Sequence, residues 1–167
     1  INPASLDIRI GRYLKEEVKP PLWLRLLWEH WPQKASELDK GPEWKTVDLQ
    51  PYTKERPYWM KSRRFILTES EEIFSMTIHL SGDFKLKSSA GRHGYQHVLA
   101  GYCDPGWTGS RLTKELTNIR QWRAIPIYPG MRLGQLVFQY LMGIPERSYA
   151  ETGRYNNDLQ VQESKGL

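Results

Sequence analysis

Short apolar runs separated by turn-forming residues recur along the chain beyond Pro57. RRFILTE, IFSMTIHL, HVLAGY and GQLVFQYL are each bounded by Gly, Pro, Asp or Ser. That rhythm is typical of antiparallel strands in a β-sandwich or a β-barrel. A chain of 167 residues is long enough for one sizeable core, so we expect a single, mainly β domain over residues 1–167.

The first 57 residues predict one strand followed by an insertion. Ser5 to Ile10 alternates apolar and polar residues and predicts a first strand that ends at Gly11. Residues 20–57 are rich in tryptophan, proline and charge, and the run LWLRLLWEHW from Leu22 to Trp31 has the spacing of a short amphipathic helix. We expect this segment to lie beside the barrel, with its aromatic residues forming a small satellite core.

Charge and composition exclude several classes of protein. The net charge of +5 favours anionic partners, but no recognition helix or aromatic RNA-binding motif is visible, and we expect no nucleic-acid partner. Cys103 is the only cysteine, which excludes an intrachain disulfide, and the four histidines give no zinc-finger spacing. No apolar stretch reaches the roughly 20 residues of a membrane span, and no signal-peptide pattern opens the chain. We expect a cytoplasmic protein without a membrane partner.

Two loop-like segments carry chemistry that suits an anionic ligand. KSSAGRHG, from Lys87 to Gly94, places hydroxyls, cations and glycines together after a predicted strand, which suits phosphate oxygens or an ordinary surface loop. CDPGWTG, from Cys103 to Gly109, is a turn by composition and holds Asp104 close to rigid backbone.

The segment RLTKELTN places a carboxylate on the polar face of a strand. Arg111, Thr113, Glu115 and Thr117 share one face, whereas Leu112, Lys114 and Leu116 share the other. Glu115 is either a solvated surface group or, if desolvated beside Arg92, an acid or base. The His-x-Glu and Pro-Cys-x-x-Cys pattern of zinc deaminases is absent, as are the usual mononucleotide and hydrolase loops.

Taken in order, NPASLDIRIG, KSSAGRHG, AGYCDPGWTG, ELTN, PGMRLGQLVF and the late GRY resemble the dCTP deaminase family of the dUTPase-like superfamily. The resemblance covers residues 1–11 and about 84–156. It implies a distorted antiparallel β-barrel with a short helical insertion, assembled as a homotrimer. Each active site would lie at a subunit interface and be closed by a C-terminal arm, here residues 149–167.

The resemblance also implies roles for individual residues. Glu115 would be the proton shuttle, with Ser88 and Arg92 holding the water and the cytosine amino group. Lys87 and Ser89 would contact the triphosphate. Asp104 and Trp107 would lie on the sugar side, and Ala100 against the water and the base. Tyr149 and Arg154 would close the site from the arm.

The implied reaction is zinc-independent hydrolysis of dCTP to dUTP and ammonia, with Mg²⁺ bound mainly through the triphosphate. Two alternatives stay open. One is a bifunctional enzyme that continues to dUMP and pyrophosphate, and the other is a barrel that binds a nucleotide or a protein partner without turnover. The chain departs from the family pattern at Lys87, where arginine is usual, at Asp158 in the arm, and by one extra residue between Trp107 and Glu115, for which we expect a compensating β-bulge.

Overall fold

The fold is built around one long N-terminal strand that joins two parts of a curled sheet. The computed structural model describes residues 5–19, 21–23, 26 and 42–166. Within these residues the strands are β1 Ser5–Glu17, β2 Trp44–Asp48, β3 Tyr58–Met60, β4 Phe65–Phe74, β5 Leu80–Leu86, β6 Tyr95–His97, β7 Tyr102–Cys103, β8 Ser110–Asn118, β9 Ile125–Ile127 and β10 Arg132–Tyr140. The helices with both ends among the described residues are α1 Ser88–His93 and α2 Tyr149–Thr152.

The main sheet runs in the order β6-β8-β4-β1-β10-β5-β7, with β2 added on β1, and β3 pairs with β9 as a separate ribbon. Each of these pairings is antiparallel. The prediction of a mainly β, antiparallel fold is therefore confirmed.

Strand β1 does not end at Gly11 as the sequence predicts. Its first half pairs with β10, from Ser5 opposite Val137 to Arg9 opposite Arg132, and its second half pairs with β2 and β4. Gly11 lies at the change of partner, where a Cβ would stand 2.6 Å from Glu69 Cγ. The glycine thus permits a close approach between strands inside the sheet and does not mark the end of the strand.

The described part of the insertion contributes to the main core instead of to a satellite. Residues 44–48 pair with the end of β1, and Leu49 is fully buried in the same cluster as Ile10, Leu14 and Leu116. Of the predicted helix, only Leu22, Trp23 and Leu26 are among the described residues; their backbone is helical and their side chains are exposed. The rest of that prediction lies outside the described residues.

The C-terminal arm packs along the edge of the sheet formed by its own chain. After α2, Asn157 donates its backbone N–H to Thr108 O at 3.0 Å, and Val161 is only 3% exposed. The Val161 N–H reaches Glu69 Oε2 at 2.9 Å, while Oε1 of the same carboxylate accepts the Arg12 and Tyr13 N–H groups. One buried carboxylate therefore joins β1, β4 and the arm. Among the described residues, no helix has the length and apolar character needed to cross a membrane.

Candidate active site

Strand β8 alternates without interruption, and this fixes the direction of Glu115. Leu112, Lys114 and Leu116 are buried on the core face, and Glu115 lies half-buried on the opposite face. The register irregularity lies in the partner strand β4, where Glu69 pairs with Thr113 but Ile73 pairs with Arg111. The extra residue is therefore not absorbed by a bulge in β8 itself, and Glu115 still faces away from the core.

Glu115 faces a cavity of about 570 Å³ between the outer side of β4 and β8 and the C-terminal arm. Five of the predicted site residues line it. They are Glu115, Ala100, Asp104, Trp107 and Tyr149. The cavity is large enough for a nucleoside and has the concave, largely apolar form of small-molecule sites.

The surroundings of the Glu115 carboxyl shift its proton affinity upward. Burial raises its pKa above the usual range of a glutamate, and its own backbone N–H and the neighbouring charge of Lys114 oppose that rise. Desolvation disfavours the ionised form of a carboxyl group, and a raised pKa brings it closer to the pH at which it must both accept and release protons. This is the electrostatic setting of a general acid and base.

Aromatic side chains form much of the cavity wall. Trp107 is 7% exposed, donates Nε1–H to Tyr155 O at 2.8 Å, and stacks on Phe74 with ring centroids 5.9 Å apart. The Tyr149 ring is packed by Gly153, where any Cβ would collide with it. The arm and the loop before β8 therefore hold each other, and planar walls remain for a base or sugar.

Asp104 is held by the turn that its sequence predicts. The Trp107 N–H donates to Asp104 O at 3.1 Å, and Gly106 has a φ of +86°. Proline followed by a glycine in the left-handed region is the signature of a type II turn. Burial raises the pKa of the Asp104 carboxyl, which lines the same cavity as Glu115.

The other predicted residues do not reach this cavity within one chain. Ser88, Ser89 and Arg92 lie exposed on α1, and Lys87, directly before the helix, forms an ion pair with Asp7 at 2.6 Å. Arg154 turns to the end of the arm, where it donates to the Gly166 carbonyl at 3.1 Å. The predicted site is thus divided into a nucleoside-sized cavity and a separate group at α1, with Arg154 in neither part.

Sequence reasoning missed part of the lining. Trp44, in a segment to which no chemistry was assigned, lines the cavity and packs on Phe65 with centroids 5.7 Å apart. The segment WKTVD has no regular alternation of apolar and polar residues, so no pattern in the sequence marks β2. Arg111 and Thr113 also line the cavity, on the polar face that carries Glu115.

The charge of the lining is mainly negative. Among its described residues, Asp104, Glu115, Asp158 and Glu163 are acidic and Arg111 is the only cation. Asp158 is paired with Lys165 at 2.8 Å, and Glu163 with Lys15. A ligand with several negative charges would need further cations near this cavity. Within the described part of the chain, no group of three or more His, Cys, Asp or Glu side chains is placed to hold a metal ion.

Comparison with known proteins places the sequence motifs in a family. A family model described as dCTP deaminase-like matches residues 1–141. The chain is 33% identical over 175 residues to a protein of Methanopyrus kandleri named dCTP deaminase, dUMP-forming, with 99% of this chain and 80% of that protein covered. A protein of the same name from Corynebacterium efficiens is 29% identical over 163 residues, covering 97% of this chain and 77% of the relative.

A solved structure supports the fold. The 2'-deoxycytidine 5'-triphosphate deaminase of Agrobacterium tumefaciens superposes with a TM-score of 0.57 and 21% identity, covering 84% of this chain. The matched part is 40% of the Agrobacterium chain. This likeness shows a common fold for the two chains.

Proposed function

The chain belongs to the dCTP deaminase-like family, and from this premise we propose that it deaminates dCTP and carries the product on to dUMP and pyrophosphate. The observation that carries the proposal is Glu115, a half-buried carboxyl with a raised pKa that faces a nucleoside-sized cavity. The product differs from the dUTP that we expected first. The relatives that carry the name dUMP-forming favour the bifunctional alternative.

Glu115 acts as a base and then as an acid in the deamination step. It takes a proton from water and passes it to N3 while the hydroxide attacks C4 of cytosine. It then takes the proton of the hydroxyl group on C4 and gives it to the amino group; the C4–N bond breaks, ammonia leaves and the C4 carbonyl forms. Glu115 begins the cycle ionised. Because its pKa is raised, it holds the proton that it takes from water long enough to pass it on. The aromatic wall of Trp44, Tyr149 and Tyr155 orients the base and excludes water from the reacting atoms.

Asp104 is the residue we assign to the second step. Its carboxyl lines the same cavity, where it orders a second water for attack on the α-phosphorus of dUTP. The bond between the α-phosphorus and the bridging oxygen then breaks, and pyrophosphate leaves. One cavity therefore serves both hydrolyses, and dUTP need not be released between them.

Magnesium is part of the proposal as an ion carried by the substrate. A hard divalent cation neutralises triphosphate oxygens and keeps several of its own waters, so it needs few protein ligands. Asp104 is the lining carboxylate best suited to hold one of those waters, because Asp158 and Glu163 are engaged in ion pairs.

The divided site is best explained by assembly. Most of the charged residues of the cavity lining are acidic, whereas Lys87 and Arg92 lie at α1, outside the cavity of their own chain. We assign α1 of a neighbouring copy to the triphosphate and to the amino group of cytosine, in a homotrimer with sites at its interfaces. Such head-to-tail contacts between copies close into a ring.

Product analysis tests the reaction. Purified protein is incubated with dCTP and Mg²⁺, and the nucleotides and pyrophosphate are separated over time. We expect dUMP and pyrophosphate; accumulation of dUTP alone would leave a monofunctional deaminase. Glu115→Gln should abolish turnover while retaining nucleotide binding, and Asp104→Asn should halt the reaction at dUTP. Glu146→Gln, at an exposed position outside the cavity, is the matched control and should behave as the wild type.

Mixed assemblies test the shared site. Glu115→Gln and Arg92→Ala proteins are each expected to be inactive, and we would unfold them, mix them and refold them together. If a site takes Glu115 from one copy and Arg92 from the next, random mixing restores about one site in four. If both residues act within one chain, no site is restored. The mass in solution should be three times the 19.6 kDa of one chain.

A further inference from the structure

A second cavity, of about 540 Å³, lies beside α1 and does not share any described residue with the first. Its walls come from α1, from the segment between β8 and β9, and from the turn before β10. The cations of its lining are Lys54, Arg120, Arg123 and Arg132, with His93 beside them. None of its described lining residues is an aspartate or a glutamate.

The four cations are available to a ligand. No salt bridge joins Lys54, Arg120, Arg123 or Arg132 to a carboxylate within the described residues. The Arg120 guanidinium donates one long hydrogen bond, 3.4 Å, to the His93 carbonyl. Guanidinium groups form strong, forked hydrogen bonds with phosphate oxygens, and several of them around one concavity are the usual setting for a polyphosphate.

The floor of this second cavity is apolar. Tyr95, Ile125 and Leu133 are buried beneath it, and Tyr128 and Met131 are half-buried in its wall. A cavity with flat aromatic and aliphatic surfaces below and cations around it matches a ligand with a planar apolar part and a phosphate chain. Inorganic phosphate alone would leave the floor uncovered.

Helix α1 separates this cavity from the residues assigned to catalysis. Ser89, Ala90 and His93 line the second cavity, whereas Ser88 and Arg92 lie on the other side of the helix and line neither cavity. Ser89 is also one of the predicted triphosphate contacts, so an experiment must distinguish the second cavity from the phosphate end of the catalytic site.

We propose that the cavity lined by Lys54, Arg120, Arg123 and Arg132 is a second nucleotide site, which binds a nucleoside polyphosphate that is not the substrate being turned over. The phosphates contact the arginines, and the nucleoside covers Tyr128 and Met131. The site is defined by binding alone, so it stands whether or not the protein deaminates dCTP.

The test uses the wild-type assembly and a fluorescent ATP analogue, mant-ATP, followed by anisotropy. The catalytic site is first saturated with α,β-imido-dUTP, which cannot be cleaved at the α-phosphorus. We expect mant-ATP to bind under these conditions and to bind at least tenfold more weakly to Arg123→Ala/Arg132→Ala. Both side chains are exposed and make no hydrogen bond within the described residues, so this variant should fold.

Two controls make the result decisive. Arg56→Ala/Arg147→Ala removes the same charge from exposed positions outside both cavities and should bind mant-ATP as the wild type does. Tripolyphosphate should displace mant-ATP at least tenfold less well than ATP, because it cannot cover the apolar floor. Absence of mant-ATP binding once the catalytic site is filled, equal weakening in both double variants, or equal competition by tripolyphosphate would overturn the proposal.

Discussion

Replacing Lys114 by methionine should stabilise the folded protein, and the gain should depend on pH. Lys114 lies on the core face of β8 between Leu112 and Leu116 and is only 2% exposed. Its ammonium group has one long hydrogen bond, 3.5 Å, to the Arg9 carbonyl. Burial lowers its pKa to about 7, although the carboxylates of Glu72 and Glu69 partly offset the effect.

The magnitude follows from the linkage between protonation and folding. One pKa unit corresponds to about 1.4 kcal/mol, so a fall from 10.5 to about 7 corresponds to about 5 kcal/mol. Below pH 7 Lys114 is charged in the folded and unfolded states, and the folded protein bears the full cost. Between pH 7 and 10.5 the folded state releases the proton while the unfolded state retains it, and stability rises by up to about 1.4 kcal/mol per pH unit.

Methionine has a similar shape and no charge, so Lys114→Met should be more stable than the wild type by several kcal/mol below pH 7. Its advantage should shrink steadily as the pH approaches 10. Denaturant unfolding followed by tryptophan fluorescence at a series of pH values measures the difference. Lys61→Met, at an exposed position, is the matched control and should give a small difference that is the same at every pH. A constant difference for Lys114→Met would refute a desolvated charge in the core.

Three further outcomes follow from the same contacts. Lys114→Met should move the acid limb of the pH profile of kcat/KM to higher pH, because the Lys114 charge lowers the pKa of Glu115. An unmoved limb would show that the Lys114 charge does not act on the group that titrates there. Val161→Ala should cost about 1 to 3 kcal/mol of stability and accelerate protease cleavage of the arm, and unchanged cleavage would contradict its anchoring role. Cys103, whose pKa is raised to about 12 by burial, should resist a disulfide reagent at mildly alkaline pH until the protein is unfolded, and rapid labelling of the native protein would disprove this.

Local patterns predicted the parts of the site that depend on short-range geometry. The two-residue period of RLTKELTN assigned Glu115 to one face and Lys114 to the other, and the strand keeps that alternation. The Asp-Pro-Gly sequence predicted the turn at Asp104 because proline and glycine restrict or release one backbone angle each. Both features are set within a few residues.

Features that depend on distant partners were not visible in the sequence. A glycine after an alternating segment is typical of a strand end, yet Gly11 lies inside β1. The position needs glycine because the Glu69 side chain of β4 lies against it. Glu69 itself has the appearance of a surface carboxylate, but backbone N–H groups from β1 and from the arm surround it. Trp44 escaped notice because aromatic residues in a proline-rich segment do not reveal which strand they will pair with.

The central place of β1 in the sheet has a consequence for folding during synthesis on the ribosome. Ser5 pairs with Val137, and β4, the neighbour on the other side, begins only at Phe65. Strand β1 must therefore wait until β10 has been synthesised before the middle of the sheet can form. Long-range pairing of this kind is slow and leaves apolar strand faces open in the meantime. We expect β1 of the nascent chain to need chaperone protection until β10 has left the exit tunnel.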